Sequence, residues 1–376
     1  MTLRDRYDAV VIGAGPAGGA AAIVLASSGV SVLLAERCGW PRPKVCGCCL
    51  AAAGVESLQD LGVPSPRAVR LDRAAVRAGG QTAAFTTPGI AVIRREALDA
   101  AIVERAAAAG AEFLPRASAR AFADGRVRLL TDGHSIGVRA ASIIVADGLA
   151  GSSVAHIDAM RPRVSTFSRM GLGAILDVGV IRDAGLDADA VNMLVGRRGY
   201  VGLVRDANGR FIAGAAVPPR AVRESGPAAA VLGCIRDALG REPDRLLRGA
   251  VGDVAWRGTP LLTRTRAREH GRILVAGDAA AYAEPFTGGG MTWAVRSGIG
   301  AAGHALEMIA ERYAPGAWTR AHGGTVGDAL TRCRLVSTLL RAPMLAPAAL
   351  RACGFSGSIR AAAAGIALGP RHGAAA

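Results

Sequence analysis

The sequence predicts an α/β fold in which a Rossmann-like domain is interleaved with an α+β domain and followed by C-terminal helices. Three observations predict this fold. The first forty residues form a strand–helix–strand unit around a glycine-rich turn. A second glycine run follows a short apolar strand near residue 280. The residues from 164 to 217 have the pattern of short strands joined by turns.

The individual elements follow from apolar periodicity and from turn residues. Strands are expected at Tyr7–Gly13, Val30–Ala35, Glu112–Pro115, Val127–Leu130, Ser142–Ala146, Val164–Val180, Val191–Val195, Tyr200–Val204, Arg210–Val217 and Arg272–Ala276. Helices are expected at Pro16–Ser28, Arg95–Ala109, Pro227–Leu239 and Met291–Tyr313. The last sixty residues are expected to be helical, with breaks at Pro343, Pro347 and Gly354 and a frayed tail over residues 369–376.

Composition limits the classes of function. No apolar stretch is long enough to span a membrane, and no secretory signal is evident, so a cytoplasmic address is expected. The net charge of +15 comes almost wholly from scattered arginines, which does not favour nucleic-acid binding. Lys44 is the only lysine. It either survives by chance or marks a position where a guanidinium would not fit.

The cysteines cluster near the N-terminus. Cys38, Cys46, Cys48 and Cys49 lie close together, whereas the other three of the seven are isolated. An odd number of cysteines without a signal argues against a disulfide framework. The cluster lacks a second Cys or His pair, so no metal site is expected.

The strongest motif is the turn that joins the first strand to the first helix, Gly13-Ala14-Gly15-Pro16-Ala17-Gly18. In a G-x-G-x-x-G motif the glycines allow a tight turn, close approach to a pyrophosphate and close helix–strand packing. Glu36 ends the second strand, where a carboxylate can accept both ribose hydroxyls of FAD or NAD. A 2′-phosphate is disfavoured there, so NADP is not expected as the resident nucleotide.

A later segment favours FAD over NAD. Asp278 follows a strand, and Gly288, Gly289 and Gly290 open a helix. The Asp278 carboxylate could accept ribityl hydroxyls, and the helix N-terminus could stabilise negative charge on a reduced flavin ring.

In their order, these motifs resemble flavoproteins of the p-hydroxybenzoate hydroxylase fold. The segment Pro41-Arg42-Pro43-Lys44-Val45-Cys46-Gly47 is similar to the P-R-x-K-x-C-G-G-G-L motif of the geranylgeranyl reductase-like branch. The segment Arg95-Glu96-Ala97-Leu98-Asp99 is similar to that family's R-x-x-F/L-D, whose arginine contacts the cofactor. The resemblance covers residues 5–310. It implies that Glu36, Arg95, Asp147 and Asp278 hold FAD.

With the motifs, this resemblance gives the expected cofactor contacts and domains. The contacts are Gly13, Gly15, Gly18, Glu36, Arg37, Lys44, Cys46, Gly47, Arg95, Ala119, Asp147, Gly148, Gly277, Asp278, Pro285, Gly288, Gly289, Gly290 and Met291. The FAD-binding domain is expected to comprise residues 1–75, 92–163 and 256–312, and the β-rich substrate domain residues 76–91 and 164–255. Residues 313–376 form a C-terminal helical region.

Two departures change what the resemblance implies. Cys48 and Cys49 replace glycines of the reductase motif, which makes that loop bulkier. The aromatic Y-x-W-x-F-P strand of many members reads Gly199-Tyr200-Val201-Gly202-Leu203-Val204-Arg205 here, so the prenyl substrate is not assumed. Trp256 and Trp293 either line the substrate cavity or belong to the core.

Several functions stay open at this stage. The leading hypothesis is hydride transfer from reduced flavin to an activated C=C bond of a hydrophobic or aromatic small molecule. Flavin monooxygenation and non-catalytic flavin binding are the alternatives. Cys46 is the candidate catalytic residue, as a proton donor or part of the pocket lining. No second G-x-G-x-x-G is present, so NAD(P)H is expected to bind only transiently, unless a protein donates the electrons. The C-terminal helices either contact a membrane surface or pack on the flavin domain; the oligomeric state is left open.

Overall fold

A computed structural model describes residues 3–177, 185–284, 286, 288–339 and 345–355. The expectations for residues 178–180, Pro285, Pro343 and the tail therefore lie outside the described residues. The strands of the described part are β1 Arg6–Ile12, β2 Val32–Ala35, β3 Cys49–Ala51, β4 Val69–Ala78, β5 Gln81–Val92, β6 Glu112–Leu114, β7 Ala117–Ala121, β8 Arg126–Thr131, β9 His134–Val145, β10 Arg163–Val164, β11 Met170–Leu176, β12 Val191–Val195, β13 Tyr200–Arg205, β14 Phe211–Val217, β15 Arg257–Leu261, β16 Arg264–Thr265, β17 Glu269–His270, β18 Ile273–Val275 and β19 Ala281–Tyr282.

The helices of the described part are α1 Pro16–Ser27, α2 Ala52–Asp60, α3 Arg95–Ala108, α4 Pro219–Leu239, α5 Arg245–Gly252, α6 Gly290–Ile309, α7 Ala317–His322, α8 Asp328–Leu339 and α9 Leu345–Phe355. Helix α4 is interrupted at Gly226, whose φ is +82°, so a regular helix starts at Pro227 as expected. Helix α6 ends a turn earlier than expected, just before Glu311 with a φ of +57°. Helix α9 contains Pro347 in its first turn and continues through Gly354, although breaks were expected at both positions.

The first sheet has the strand order β17–β18–β9–β1–β2–β6, and β7 and β8 extend it beside β9. Strands β1, β2, β6, β9 and β18 pair in parallel. In β1, Ala9 and Val11 pack with the helices, while Val10 and Ile12 pack in a separate cluster on the opposite face. Burial on both faces explains why this strand is apolar without alternation.

Helices α1, α3 and α6 cover one face of this sheet. The backbone of α6 lies so close to α1 that a Cβ on Gly298 would fall 2.0 Å from the carbonyl oxygen of Ala17. A Cβ on Gly18 would fall 1.9 Å from the carbonyl oxygen of Gly13. These glycines hold the first helix directly against its strand and its neighbouring helix, which fixes the helix N-terminus relative to the sheet.

The second sheet has the order β15–β11–β14–β13–β12–β4–β5–β3. Strands β4 and β5 form a long antiparallel hairpin, and β12 pairs with β4 in parallel. The expected boundary between residues 75 and 76 falls inside β4, and this sheet also includes β3, Cys49–Ala51, and β15, Arg257–Leu261. The segment expected as Val164–Val180 is divided into β10 and β11. Strands β10, β16 and β19 form a small third sheet.

Candidate cofactor and active site

A cavity of about 1020 Å³ lies between the two large sheets. Its lining runs from Gly13 and Glu36, at the end of the first sheet, to Val76 and Met193 on the second. Ligand pockets in proteins usually measure about 300–1,000 Å³. The cavity is therefore large enough for an extended ligand together with a second molecule.

At one end of the cavity, the glycine-rich turn lines the wall with backbone atoms alone, because Gly13 and Gly15 have no side chains. Gly13 has a φ of +102°, and a Cβ there would lie 2.4 Å from the carbonyl oxygen of Ala146, so only glycine is accommodated. Helix α1 starts directly after Gly15, with Pro16 in its first turn. The unpaired N–H groups of the helix N-terminus form a site suited to a phosphate.

The Glu36 carboxylate lies beside this turn and is 3% exposed. It accepts hydrogen bonds from the backbone N–H groups of Ala14 at 3.1 Å and Cys38 at 3.0 Å, and from Arg42 at 3.1 Å. Burial alone would raise the pKa of Glu36, but the Arg42 guanidinium and the two N–H donors outweigh it and lower the pKa. The side chain is thus held as a carboxylate, the form that accepts ribose hydroxyls.

Lys44 and Asp278 line the middle of the cavity together with Gly148. A Cβ on Gly148 would lie 3.1 Å from the Lys44 ammonium, so the lysine fits against bare backbone. Burial, and secondarily the Arg95 charge, lowers the pKa of Lys44. Burial raises the pKa of Asp278, while the nearby Lys44 opposes that rise. The pair provides one cation and one acceptor to a polar ligand.

Arg95 begins α3 and reaches the same space. It is 4% exposed and forms a bidentate ion pair with Asp99 one turn later. Burial acts to lower the pKa of Arg95, but Asp99 and Cys46 outweigh it and raise the pKa further. In the sequence, Asp99 is only the last residue of the R-x-x-F/L-D match and was given no role, although its (i, i+4) spacing from Arg95 is a signal that predicts such a pair.

The segment that carries Cys46, Cys48 and Cys49 lines the cavity on the side of the second sheet. The Cys48 backbone N–H donates to the Cys46 sulphur at 3.3 Å. A hydrogen bond from the Cys48 side chain and the Arg95 charge outweigh the effect of burial and lower the pKa of Cys46 to about 6. The surroundings of Cys46 thus favour its thiolate form. Cys48 has a φ of +56°, so it retains the backbone conformation that glycine would adopt.

Asp147 lies at the end of β9 and also lines the cavity. One oxygen, Oδ2, accepts from the Ser153 N–H at 2.9 Å, while Oδ1 is buried and has no hydrogen-bond partner among the described residues. A buried acceptor without a donor is costly to the fold. A ligand that donates a hydrogen bond here would remove that cost.

The expected contact residues divide into three groups. Those that line the cavity are Gly13, Gly15, Glu36, Arg37, Lys44, Cys46, Gly47, Arg95, Ala119, Asp147, Gly148, Asp278, Gly288, Gly290 and Met291. Gly18, Gly277 and Gly289 pack behind the lining; a Cβ on Gly277 would lie 2.8 Å from the Ala17 Cβ. Pro285 lies outside the described residues. Trp256 and Trp293 pack in hydrophobic clusters away from the lining.

The far end of the cavity is apolar. Its lining comes from the second sheet and from α9: Ala74, Val76, Phe85, Ile90, Val191, Met193, Val204, Leu345, Ala346 and Leu350. Tyr200 and Tyr282 add phenol groups beside this lining. The sequence pattern does not identify these residues individually; it predicts only that the β-rich domain contacts the substrate.

The described residues fit FAD. The glycine turn offers bare backbone and a helix N-terminus, Glu36 offers ribose acceptors, and Asp147 Oδ1 lacks a donor. Within the described ranges, no group of three or more His, Cys, Asp or Glu side chains is placed to hold a metal ion. Among the described helices, none combines the length and apolar character needed to cross a membrane.

Comparisons with known proteins agree with this fit. Residues 6–308 match the model of the FAD binding domain. Digeranylgeranylglycerophospholipid reductase 2 of Methanopyrus kandleri is 30% identical over 81% of this chain and 78% of its own. A geranylgeranyl bacteriochlorophyll reductase-like protein from Thermoplasma acidophilum superposes with a TM-score of 0.74 at 16% identity, over 96% of each chain.

The same fold is found in a monooxygenase. The p-nitrophenol 4-monooxygenase of Pseudomonas putida superposes with a TM-score of 0.74 at 18% identity, over 98% of this chain and all of its own. At this identity the likeness concerns the fold, whereas the match to the family model covers most of the sequence. The chain therefore belongs to the FAD binding domain family and is an FAD-dependent oxidoreductase.

Proposed function

We propose that this protein is a reductase that uses FAD to transfer hydride to an activated C=C bond of a hydrophobic small molecule. The observation that carries the proposal is the single cavity that joins a dinucleotide-binding end to an apolar end. Bound FAD would supply the two-electron chemistry. The chain's own residues would position the FAD, exclude water and supply the proton that completes the reduction.

Residues at the polar end would hold the cofactor. Gly13 and Gly15 would admit the pyrophosphate to the N-terminus of α1, and Glu36 would accept the ribose hydroxyls. Asp147 and Asp278 would accept hydrogen bonds from the middle of the cofactor, and Arg95 and Lys44 would balance its negative charge. Gly288 and Gly290 would leave room for the flavin at the start of α6.

The apolar end would hold the substrate. Val76, Phe85 and Met193 come from the second sheet, and Leu350 comes from α9 on the other side. Burial of an alkyl chain here would contribute about 25 cal/mol of binding free energy per Å² of apolar surface removed from water. The reductase names of the archaeal relatives support a lipid-like substrate with C=C bonds. The exposed leucines Leu335 and Leu345 on α8 and α9 support delivery of that substrate from a membrane surface.

Reduction of a C=C bond needs a proton as well as a hydride. We assign the proton to the Tyr282 phenol, which lines the cavity near Cys46 and Asp278. Burial, reinforced by the negative charge of Asp278, raises the pKa of Tyr282 well above its ordinary value. The phenol carries a proton at neutral pH, and because the raised pKa makes it a weak acid, it would give that proton only to a strongly basic carbanion such as hydride addition to an activated C=C bond would leave. Tyr282→Phe is expected to lower kcat by about 100-fold, because general acid catalysis contributes about 10²–10⁴-fold.

The test begins with the absorbance spectrum of the purified protein and identification of the released cofactor. The holoprotein is then reduced without oxygen by NADPH, NADH or dithionite and mixed either with geranylgeranial, whose C=C bond is activated by the conjugated aldehyde, or with a geranylgeranylated lipid. The proposal expects a product with two added hydrogen atoms per reduced bond. A product that gains one oxygen atom, formed only with O₂, would establish the monooxygenase instead. Bound FAD that no donor and substrate turn over would favour a flavin carrier.

A further inference from the structure

We infer that Cys46 and Cys48 form a redox-active dithiol within the flavin cavity, with Cys46 as the attacking sulphur and Cys48 as the resolving one. The reaction partner is a small disulfide that enters the cavity. This activity is independent of hydride transfer to a C=C bond. It depends on Cys48, a residue that occupies a position where the reductase motif has glycine.

The geometry brings the two sulphurs together. The Cys48 N–H donates to the Cys46 sulphur at 3.3 Å, and the Cys48 thiol contacts the Cys46 carbonyl oxygen at 3.8 Å. Gly47 lies between them and has no atom within 4 Å of its Cβ position, so the loop has space to close. Both cysteines line the cavity and are free thiols.

Charge distinguishes the roles of the two sulphurs. The groups that face Cys46 are Arg95 from α3, Cys48 and Cys49 from its own loop, and Tyr282 from β19. Arg95 is cationic and stays so because Asp99 holds it, whereas Tyr282 is neutral. The Cys46 thiolate is thus stabilised. The hydrogen bond to Cys46 and burial raise the pKa of Cys48, so Cys48 retains its proton until Cys46 has reacted.

Cys49 is less suited to the resolving role. Its thiol donates to the Gly47 carbonyl at 3.3 Å, and it packs beside Gly288. Burial, with the Cys46 charge, raises the pKa of Cys49 to about 12. No hydrogen bond between Cys49 and Cys46 occurs among the described contacts, in contrast to Cys48.

The reaction balances as thiol–disulfide exchange. The Cys46 thiolate attacks one sulphur of a small disulfide, forms a mixed disulfide and releases one thiolate. Cys48 then loses its proton to that thiolate and attacks the Cys46 sulphur, which releases the second group as a thiolate. The two cysteines are oxidised by two electrons, and the small disulfide is reduced to one thiol and one thiolate.

The experiment treats the holoprotein with 2-hydroxyethyl disulfide without oxygen and maps residues 46–49 by peptide mass. The wild type is expected to form an internal Cys46–Cys48 disulfide without a retained adduct. In the Cys48→Ser variant the reaction is expected to stop with one hydroxyethylthio group on Cys46. In the Cys46→Ser variant Cys48 is expected to stay unmodified. Cys49→Ser is the matched control and is expected to behave as the wild type does.

The rate provides a second readout. A thiolate with a pKa of about 6 should react at pH 6 about tenfold faster than a free thiol with a pKa of ~8.5, after correction for its lower intrinsic nucleophilicity. The two rates should be equal near pH ~7.5, and at about pH 9 Cys46 should react roughly tenfold more slowly than the free thiol. The proposal would be overturned by an adduct that the wild type retains or by a disulfide that includes Cys49. It would also be overturned if Cys46 reacted at pH 6 no faster than the free thiol.

Discussion

Arg95 and Asp99 form a bidentate ion pair, with Nε–Oδ1 and Nη2–Oδ2 distances of 2.9 and 2.7 Å. Both side chains are buried at the start of α3. The pair fixes the guanidinium in the cavity lining, where a Cβ on Gly15 would lie 3.6 Å from its Nη2 atom. The orientation of Arg95 toward the cofactor end is thus set by a residue that does not itself line the cavity.

Asp99→Asn is expected to lower the free energy of unfolding by about 3–5 kcal/mol, because it leaves a buried guanidinium without its counter-charge. Urea denaturation of the apoprotein and the holoprotein measures the change. Glu224→Gln removes a pair of the same spacing on an exposed surface and should have no measurable effect. Equal effects of the two substitutions would show that the Arg95 pair is not held in a low-dielectric site.

Glu36→Gln is expected to weaken FAD binding by about 10- to 100-fold, because hydrogen bonds to a charged acceptor contribute about 1.5–3 kcal/mol. Fluorescence titration of the apoprotein with FAD measures the dissociation constant. The matched control is Glu112→Gln, which alters the carboxylate bound to Tyr7 on the same sheet but outside the cavity. Unchanged affinity in the Glu36 variant would contradict the ribose assignment.

His322 should make the fold sensitive to acid. Burial, with the Arg268 charge, lowers the pKa of His322 to about 3. The unfolded chain binds this proton below pH ~6.5, while the folded chain does not. Stability is therefore full above pH ~6.5 and falls by up to about 1.4 kcal/mol per pH unit toward pH 3.

His322→Gln keeps an acceptor for the Arg268 Nε, which donates to His322 Nδ1 at 3.3 Å. Chemical denaturation between pH 7 and 4 should therefore show a shallower loss in this variant than in the wild type. The same substitution at the exposed His134 should leave the wild-type slope unchanged. A slope that is identical in all three proteins would mean that His322 is protonated within the fold.

Val76→Trp is expected to fill the apolar end of the cavity and lower kcat/KM by about tenfold or more for long substrates, since overpacking costs about 1–3 kcal/mol. FAD binding, which uses the opposite end, should not change. Arg70→Trp places the same side chain at an exposed position of the same strand and serves as the control. A series of substrates of increasing length tests the prediction; a loss that is equal for short and long members would place the substrate elsewhere.

The sequence predicted the first sheet well because its signals are local. The strand, the Gly13 turn, α1 and Glu36 lie within about thirty residues, and each has a recognised steric or electrostatic role. The boundaries of Arg95–Ala108 followed from periodicity in the same way. These elements require no knowledge of distant partners.

The second sheet and the apolar end of the cavity were harder to predict. Strand β4 has alternating charged and apolar residues and reads as a half-exposed strand, but its parallel partner β12 lies more than a hundred positions away. The sequence of α9 does not reveal which surface the helix covers. The positive φ of Cys48 could not be inferred from a cysteine, because that conformation is typical of glycine.

The order of the strands also constrains how the chain is made. The first sheet joins β1 to β18 through β9, and the second joins β4 to β12, so each sheet needs partners from distant parts of the chain. The second sheet cannot be completed during synthesis until β15, Arg257–Leu261, has left the ribosome, and the first sheet cannot be completed until β18, Ile273–Val275, has done so. Folding should therefore be slow and depend on the nearly complete chain, and the hairpin β4–β5 should expose an unpaired strand edge to chaperones while β12 is awaited.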